Sequence, residues 1–512
     1  MRTDPRQLHE RKFDLVVVGA GIQGAAIARD AAVRGLDVLL VDARDVAAGT
    51  SSRSSRLVHG GLRYLRHGHF ALVREALHER ERLLRLAPHL VRPLPMLVPF
   101  FGDSSVGRWQ LRLGTWLYSR LAGRSTLPRP ETKTAAQALA AFPGLRERGL
   151  RSGLLFFDAR TQDGRLTLAN VRDAVRAGAV FCNRVRAVGC DDRGVRLCAG
   201  GDELTVRCAE VVNATGPAVD PLRRALGVDG DELVRTSRGS HVVLPPRAGE
   251  LSLCAFLPDQ RIQFVVPHDG GTLCGTTDVD DHLVCDEGPP PAVDLDYLWE
   301  ALGYLLEPPP QPDDVRFAYC GWRALPNTEG PPGALNREGF VVGERIACGR
   351  LHTVVGGKLT THRSFAERAV AAMFGLDPVS PTRDRTLPGG DGPREVDDPL
   401  WWRHGSLVRE LRAQIRMQPD LAEPLCPHRP LLAAELVHAV ANEGAATFAD
   451  AVLRRLIDVR GPCVEPACLQ RALEVFARAG GVVDDAAAEV AAVHAELLQL
   501  TGDLESWRRR QP

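Results

Sequence analysis

The sequence predicts an α/β protein with a separate α domain: a Rossmann-type dinucleotide-binding domain, an antiparallel-sheet cap inserted into it, and a helical C-terminal domain. Three observations carry that reading. A glycine-rich turn, Gly19-Ala-Gly21-Ile-Gln-Gly24, lies between two apolar strand patterns and opens a helix pattern. The stretch from Ser237 to Thr277 is β-branched and alternates apolar with polar residues. Beyond a segment dense in Pro, Gly and Asp the periodicity is helical. At 512 residues the chain is also too long for one hydrophobic core.

Taken in order, Phe13 to Val18 is a Val-rich strand, Ile22 to Arg34 is a helix stopped by Gly35, and Asp37 to Val41 is a second buried strand. Parallel strands need the right-handed crossover that such a helix supplies, so this is a β-α-β unit. His69 to Leu86 reads as a packing helix with a solvated face through Arg74, Glu75, Glu79 and Arg82. Val106 to Arg124 is basic and amphipathic, with Trp109, Leu113, Trp116, Leu117 and Leu121 against Arg108, Arg112, Arg120 and Arg124. Such a helix either lies in a bilayer interface or packs on the cap.

Thr205 to Asn213 reads as one strand ending in Asn213-Ala214-Thr215-Gly216, and Val242, Val243, Ile262, Phe264, Val265 and Leu273 carry the antiparallel alternation. Gly339 to Val355 adds strands, after which Gly356-Gly357 opens a helix from about Lys358 to Phe374. Leu376 to Pro399 reads as a linker, followed by helices at Ala433 to Asn442, Phe448 to Ile457, Leu469 to Ala479 and Ala486 to Leu500. The expected division assigns 1–90, 151–235 and 340–375 to a discontinuous nucleotide-binding domain and 91–150 with 236–339 to the cap. A linker over 376–400 then leads to the helical domain, 401–512.

Composition narrows the function classes. Lys plus Arg equals Asp plus Glu at 64 each, so no global field favours nucleic acid. The start of the chain lacks a signal-peptide core and no stretch has the length of a membrane span, which predicts a cytoplasmic protein. Twelve cysteines are scattered, with Cys463 and Cys468 the closest pair, so they read as reduced structural thiols and no metal is expected. Only three lysines, Lys12, Lys133 and Lys358, stand among 61 arginines, so each lysine asks for a reason.

The glycine turn has the context that its chemistry requires. Gly19 permits the tight turn, Gly21 lets backbone approach a pyrophosphate, Gly24 lets helix and strand pack closely, and the helix N-terminus stabilises the anion. Asp42 lies 18 residues past Gly24, placed to accept hydrogen bonds from a ribose diol. That fingerprint serves FAD and NAD alike. The small, polar segment from Thr50 to Tyr64, the Ala214-Thr215-Gly216 turn and the Gly356-Gly357-Lys358-Leu359-Thr360-Thr361 turn spread the glycine-bearing sites over more than 300 residues, which suits an extended dinucleotide.

These motifs resemble a known family. The Thr50 to Leu65 segment, Arg238-Gly-Ser-His241-Val-Val-Leu-Pro245, Gly275-Thr276-Thr-Asp278, Gly321-Trp-Arg323-Ala-Leu325 and Gly356 to Thr361 together look like the aerobic, FAD-dependent, quinone-linked glycerol-3-phosphate dehydrogenases, over most of the chain. Ala449 to Arg455 resembles part of that family's helical C-terminal domain. The resemblance implies a glutathione-reductase-like FAD domain of the D-amino-acid-oxidase class. It also implies hydride transfer from C2 of sn-glycerol 3-phosphate to flavin N5, with dihydroxyacetone phosphate as product and membrane quinone as electron acceptor.

Carried onto this chain, it places the ADP half on Gly19, Gly21, Gly24 and Asp42, with Ala214, Thr215 and Gly216 beside it, and the pyrophosphate and flavin on Ser51, Ser52, His59, Gly60 and Gly61. Gly357, Lys358, Leu359 and Thr360 fall under the flavin's pyrimidine edge, where amides and an ammonium stabilise negative charge. Arg323 and Arg337 would hold the phosphate. Arg63 and Tyr64 would orient the glycerol hydroxyls, with Thr276 and Asp278 nearby. His241 is the candidate base, which works best with a pKa near neutral. Peripheral contact with the inner face of the cytoplasmic membrane and a homodimer stay open. An oxidase passing electrons to oxygen shares the same motifs. The retained Arg63, Arg323, Arg337 and Lys358 argue against a catalytically inactive flavin-binding sensor or scaffold, and an NAD-linked enzyme leaves the wrapping segment unexplained.

Overall fold

Leu15–Val18 is apolar and buried at every position, the signature of a central parallel strand covered on both faces. In the computed structural model this strand lies inside a six-stranded sheet; the structure describes residues 1–511 apart from 62–64, 66–67, 105–106, 248, 269, 282–287, 331–337, 396, 457–460 and 462. The order is Phe340–Ile346, Gly349–Val355, Glu210–Asn213, Leu15–Val18, Val38–Asp42 and Val180–Asn183. Every pairing is parallel except that of the Phe340–Ile346 edge. The helix Ile22–Val33 presents Ala25, Ala28, Ala31 and Ala32 to one core with Leu168 and Val171 of the helix Asp163–Arg176 and Phe365 and Val370 of the helix His362–Phe374. Small side chains let these elements approach closely.

The expected single strand over Thr205 to Asn213 is two. Asp202–Val206 closes a three-stranded antiparallel sheet with Gly194–Ala199 and Val185–Asp191, while Glu210–Asn213 belongs to the parallel sheet. Between them Arg207 exchanges backbone hydrogen bonds with Arg11 and Phe13, which turns the chain from one sheet to the other. Apolar alternation runs on through the crossing because both halves are buried, so periodicity alone does not mark it.

The cap is a ten-stranded mixed sheet. Its long central strands, Val91–Phe101 and Leu150–Thr161, pair antiparallel, so the segment from 151 to 161, expected among the nucleotide-binding segments, runs in this sheet instead. Val234–Leu244 pairs with Gly271–Gly275 on one edge and with Phe317–Pro326 on the other. One face buries Leu94, Met96 and Val98 under the helices Phe70–Leu86 and Arg108–Ala122, and the opposite face buries Leu97, Val242 and Leu253 under Ala292–Leu305. That is the two-residue period of a strand covered on both sides.

The expected linker packs against the first domain through its middle. Ser380, Thr382 and Leu387 are buried, Leu387 N–H donates to Leu86 O, and Arg385 pairs with Asp173 at 2.9 Å. Its glycines make tight turns: a Cβ on Gly389 would stand 2.4 Å from the His404 carbonyl. The C-terminal part is helical, with its own core around Leu436, Phe448 and Phe476 and one short hairpin, Pro424–Cys426 with Arg429–Leu432. Arginine forks pin it to the first domain, Arg455 onto Asp45 at 2.6 and 2.9 Å and Arg165 onto Glu443 at 2.7 and 2.8 Å, all buried. Planar bidentate pairing of this kind is what guanidinium does and ammonium does not.

Candidate active site

The first turn is built by close packing. Gly19 has φ 106°, and a Cβ on Gly24 would lie 1.9 Å from the Gly19 carbonyl oxygen. Asp42 ends its strand with one carboxylate oxygen accepting from Ala20 N–H at 2.7 Å and the other from Arg44 N–H at 2.8 Å. Burial pushes its carboxyl up to about 6, against those two backbone bonds. Ser51 Oγ accepts from Ile22 N–H at 2.9 Å, so it caps the first turn of the helix, and Ser52 Oγ donates to Gly49 O at 3.3 Å within its own turn.

A ribose diol donating to Asp42 favours the ionised carboxylate, so it lowers that pKa on binding. Dinucleotide affinity is therefore complete above pH 6 and falls, by up to about tenfold per pH unit, as pH drops below the free protein's value. Titrating apoprotein with FAD between pH 5 and 8 measures this, and Asp42→Asn should flatten the curve.

The wrapping segment is tied to every other part of the site. Thr50 Oγ1 donates to Trp322 O at 2.6 Å, Ser54 Oγ donates to Asp163 at 2.7 Å, Ser55 Oγ shares a 2.8 Å hydrogen bond with His241 Nε2, and His59 N–H donates to Thr360 Oγ1 at 3.1 Å. Gly60 is buried because Leu77 and Tyr118 press on it; its N–H donates 2.7 Å to the Tyr118 hydroxyl, which donates in turn to Asp158. The turn at Gly356 and Gly357 has φ of 72° and 100°, and a Cβ on Gly357 would stand 2.5 Å from Gln23 Nε2, which itself donates to Lys358 O. The helix expected from Lys358 starts at His362 instead, leaving Lys358 to Thr361 as turn.

The cap contributes one sheet face. Register pairs Ser237 with Arg323, Gly239 with Gly321 and His241 with Tyr319, so these residues alternate onto the same side. Arg238 and Ser240 point the other way and bond Asp294. Two glycines thus oppose each other between a guanidinium and an imidazole. A Cβ on Gly239 would lie 2.2 Å from Arg323 Nη2, and one on Gly321 would meet Arg53 at 3.0 Å.

Arg323 donates to Thr276 Oγ1 at 3.0 Å and to Asp278 Oδ1 at 3.2 Å, and Ser237 Oγ donates to the same Asp278 oxygen at 2.6 Å. Thr276 and Asp278, expected to touch substrate, therefore hold and orient the arginine. His241 is buried and stacked on Tyr319 at 5.0 Å. Burial first, then Arg323 and Arg56, press its pKa down to about 3, so it is neutral at physiological pH rather than poised near 7. Its Nδ1 has no hydrogen-bond partner among the described residues.

One cavity of about 1280 Å³ brings these parts together. Gly19, Gly21, Asp42, Ser51, His59 and Gly61 line it from one side, Ala214 to Gly216 and Gly357 to Thr360 from another, and His241, Thr276, Asp278 and Arg323 from the cap. Gly24, Ser52 and Gly60 stand behind the wall. Arg63, Tyr64 and Arg337 lie outside the described residues. Ser55, Gly239, Gly321 and Tyr319 escape sequence reasoning; strand alternation around His241 and Arg323 is the one signal for the last three.

The cradle suits a long, anionic dinucleotide: positions where any Cβ would collide, a helix N-terminus, and a diol-accepting carboxylate. Known proteins agree. The model of the FAD dependent oxidoreductase family matches residues 14–363, and that of the C-terminal domain of alpha-glycerophosphate oxidase matches 353–481. Glycerol-3-phosphate dehydrogenase 2 of Mycobacterium tuberculosis is 35% identical, covering 96% of this chain and 90% of that protein. The aerobic glycerol-3-phosphate dehydrogenase of Escherichia coli is also 35% identical, over 81% of this chain and 82% of that one. Among solved structures, the glycerol-3-phosphate dehydrogenase of Bacillus halodurans, complexed with FAD, superposes with a TM-score of 0.75 at 26% identity, covering 96% of each chain.

Proposed function

The chain belongs to the FAD-dependent glycerol-3-phosphate dehydrogenase family, and from that premise we propose how its own residues oxidise sn-glycerol 3-phosphate and where the electrons go. The observation that carries the reading is the cap face: Arg323 and His241 flank a glycine floor that opens on the FAD-binding cavity. Bound there, FAD supplies the acceptor for the hydride that leaves C2. Arg323, its plane fixed by Thr276 and Asp278, takes the phosphate dianion. The opposed glycines let the Arg323 guanidinium and Arg53 lie directly against the sheet. His241, with Ser55 on its Nε2, is the base proposed for the C2 hydroxyl proton, so that the C2 carbonyl forms as proton and hydride depart.

Burial is the first cause of the lowered His241 pKa and the Arg323 charge the second, so dianion arrival offsets only the second. His241→Gln should lower kcat about 100-fold with little change in KM. An unchanged rate and pH profile would remove this role. Arg63, Tyr64 and Arg337 complete the reading as further anchors of the hydroxyls and phosphate, and Lys358 as a cation at the flavin turn.

Membrane quinone is the proposed electron acceptor, supported by one surface. On the helix Arg108–Ala122, Trp109, Leu113 and Trp116 are 69%, 52% and 56% exposed, on one side of the helix with Arg112 and Arg120 nearby. No described helix is long and apolar enough to cross a membrane, which leaves contact with one leaflet. The test is anaerobic: glycerol 3-phosphate should bleach the flavin, and a quinone analogue in anionic vesicles should restore it faster than oxygen does. Trp109→Ser with Trp116→Ser should abolish vesicle co-sedimentation and slow quinone reduction while bleaching persists. Faster recovery with oxygen would make the protein an oxidase, and a flavin that stays oxidised would overturn the substrate.

A further inference from the structure

Outside the cavity lining, the hairpin of the C-terminal domain carries Cys426 and His428, and the helix Pro466–Arg478 is entered through Cys463 and carries Cys468 in its first turn. All four side chains offer a ligand atom, and those atoms lie within 4.8 Å of one another. His428 Nδ1 stands 3.5 Å from Cys463 Sγ and 3.6 Å from Cys468 Sγ. Zinc–sulfur and zinc–nitrogen bonds of about 2.3 and 2.0 Å, set at the tetrahedral angle, put neighbouring sulfur and nitrogen ligands about 3.5 Å apart. The two imidazole–sulfur spacings are those of a coordination sphere, and the remaining pairs lie within 4.8 Å. We propose that Cys426, His428, Cys463 and Cys468 bind one structural zinc ion that staples the hairpin Pro424–Leu432 to the N-terminus of the helix Pro466–Arg478.

Chemistry favours zinc over the other occupants of such a cluster. Three thiolates and an imidazole form a closed set, with no fourth position for water, as structural zinc sites have. Cys468 is the third residue of a 13-residue helix, whose dipole favours the net negative charge of a three-thiolate zinc centre. The site has the architecture of a zinc knuckle in two halves, one on a hairpin turn and one at a helix start. A second group, His404, His438 and Glu443, is brought as close but differs in kind: Arg165 and Arg172 saturate the Glu443 carboxylate at 2.7 to 3.1 Å, and two guanidinium groups exclude a further cation. Cysteine spacing in the sequence points to no metal, and the cluster that folding assembles is what points to one. His428 lies 35 and 40 residues from its two cysteine partners, a separation that only the fold closes.

Elemental analysis of the full-length flavoprotein, expressed with added zinc and purified without chelator, should find about one zinc per chain. Titrating its thiols with a mercurial should release that zinc to a chromogenic chelator. Cys463→Ser combined with Cys468→Ser should lose the metal and lower Tm while the purified protein keeps its flavin. Should that variant fail to fold, cobalt(II) exchange into the native chain decides the matter, because thiolate-bound tetrahedral cobalt shows sulfur-to-metal charge transfer and strong visible bands. Trace zinc only, zinc retained by the double variant, iron in its place, or a disulfide among Cys426, Cys463 and Cys468 in the intact mass each overturns the proposal.

Discussion

Replacing Arg323 with Ala is expected to lower kcat/KM for glycerol 3-phosphate about 1000-fold, equivalent to about 4 kcal/mol of transition-state stabilisation. Two effects add. The phosphate loses its forked donor, and Asp278, which Arg323 pairs at 3.2 Å, is left as a carboxylate facing the incoming dianion. Arg323→Lys should recover less than a tenth of the loss, since an ammonium cannot bond Thr276, Asp278 and phosphate in one plane. Flavin content should be unchanged, because the arginine belongs to the cap rather than to the dinucleotide turns. Steady-state kinetics with the flavin-to-protein absorbance ratio measures both. A loss below tenfold would remove Arg323 from the phosphate site.

That prediction also shows what was legible in the sequence. The dinucleotide turn was, because Gly19, Gly21 and Gly24 act through backbone rules that operate within six residues, and Asp42 follows at the end of the next strand. His241 and Arg323 came from motif likeness, and the fold brings both to one cavity. The hydrogen bonds from Arg323 to Thr276 and Asp278 were not legible. Two-residue alternation says that Gly239 and His241 share a face, but not that Ser237 lies opposite Arg323, and it is this register that brings Asp278 onto the guanidinium. The packing of the middle of the 376–400 segment was not legible for a related reason. Its prolines and glycines look like a flexible linker in composition, yet turns such as the one at Gly389 need them so that backbone can pass backbone. The cysteine cluster is the extreme case, since its halves meet only through tertiary folding.

Gly24→Ala should give a protein that purifies without its yellow colour and melts several degrees lower, the opposite of what helix propensity implies. Gly24 is the third residue of the helix Ile22–Val33, where alanine in place of glycine is worth about 1 kcal/mol to an isolated helix. Here the added methyl would lie 1.9 Å from the Gly19 carbonyl oxygen and 3.1 Å from Ala214 Cβ. Neither neighbour can yield: Gly19 is held by its own hydrogen bond from N–H to Val41 O, and Ala214 by one to Val18 O. The helix must therefore lift away from the turn. That displaces the amides aimed at the pyrophosphate and opens a core packed with alanines, an overpacking cost of about 1–3 kcal/mol even before cofactor binding is lost. Gly303 is the control. It sits inside the helix Ala292–Leu305, exposed, with nothing within 4 Å of an added methyl, so Gly303→Ala should raise Tm slightly and leave the flavin in place. Equal behaviour of the two variants would mean that helix propensity, and not the approach of helix to turn, governs Gly24.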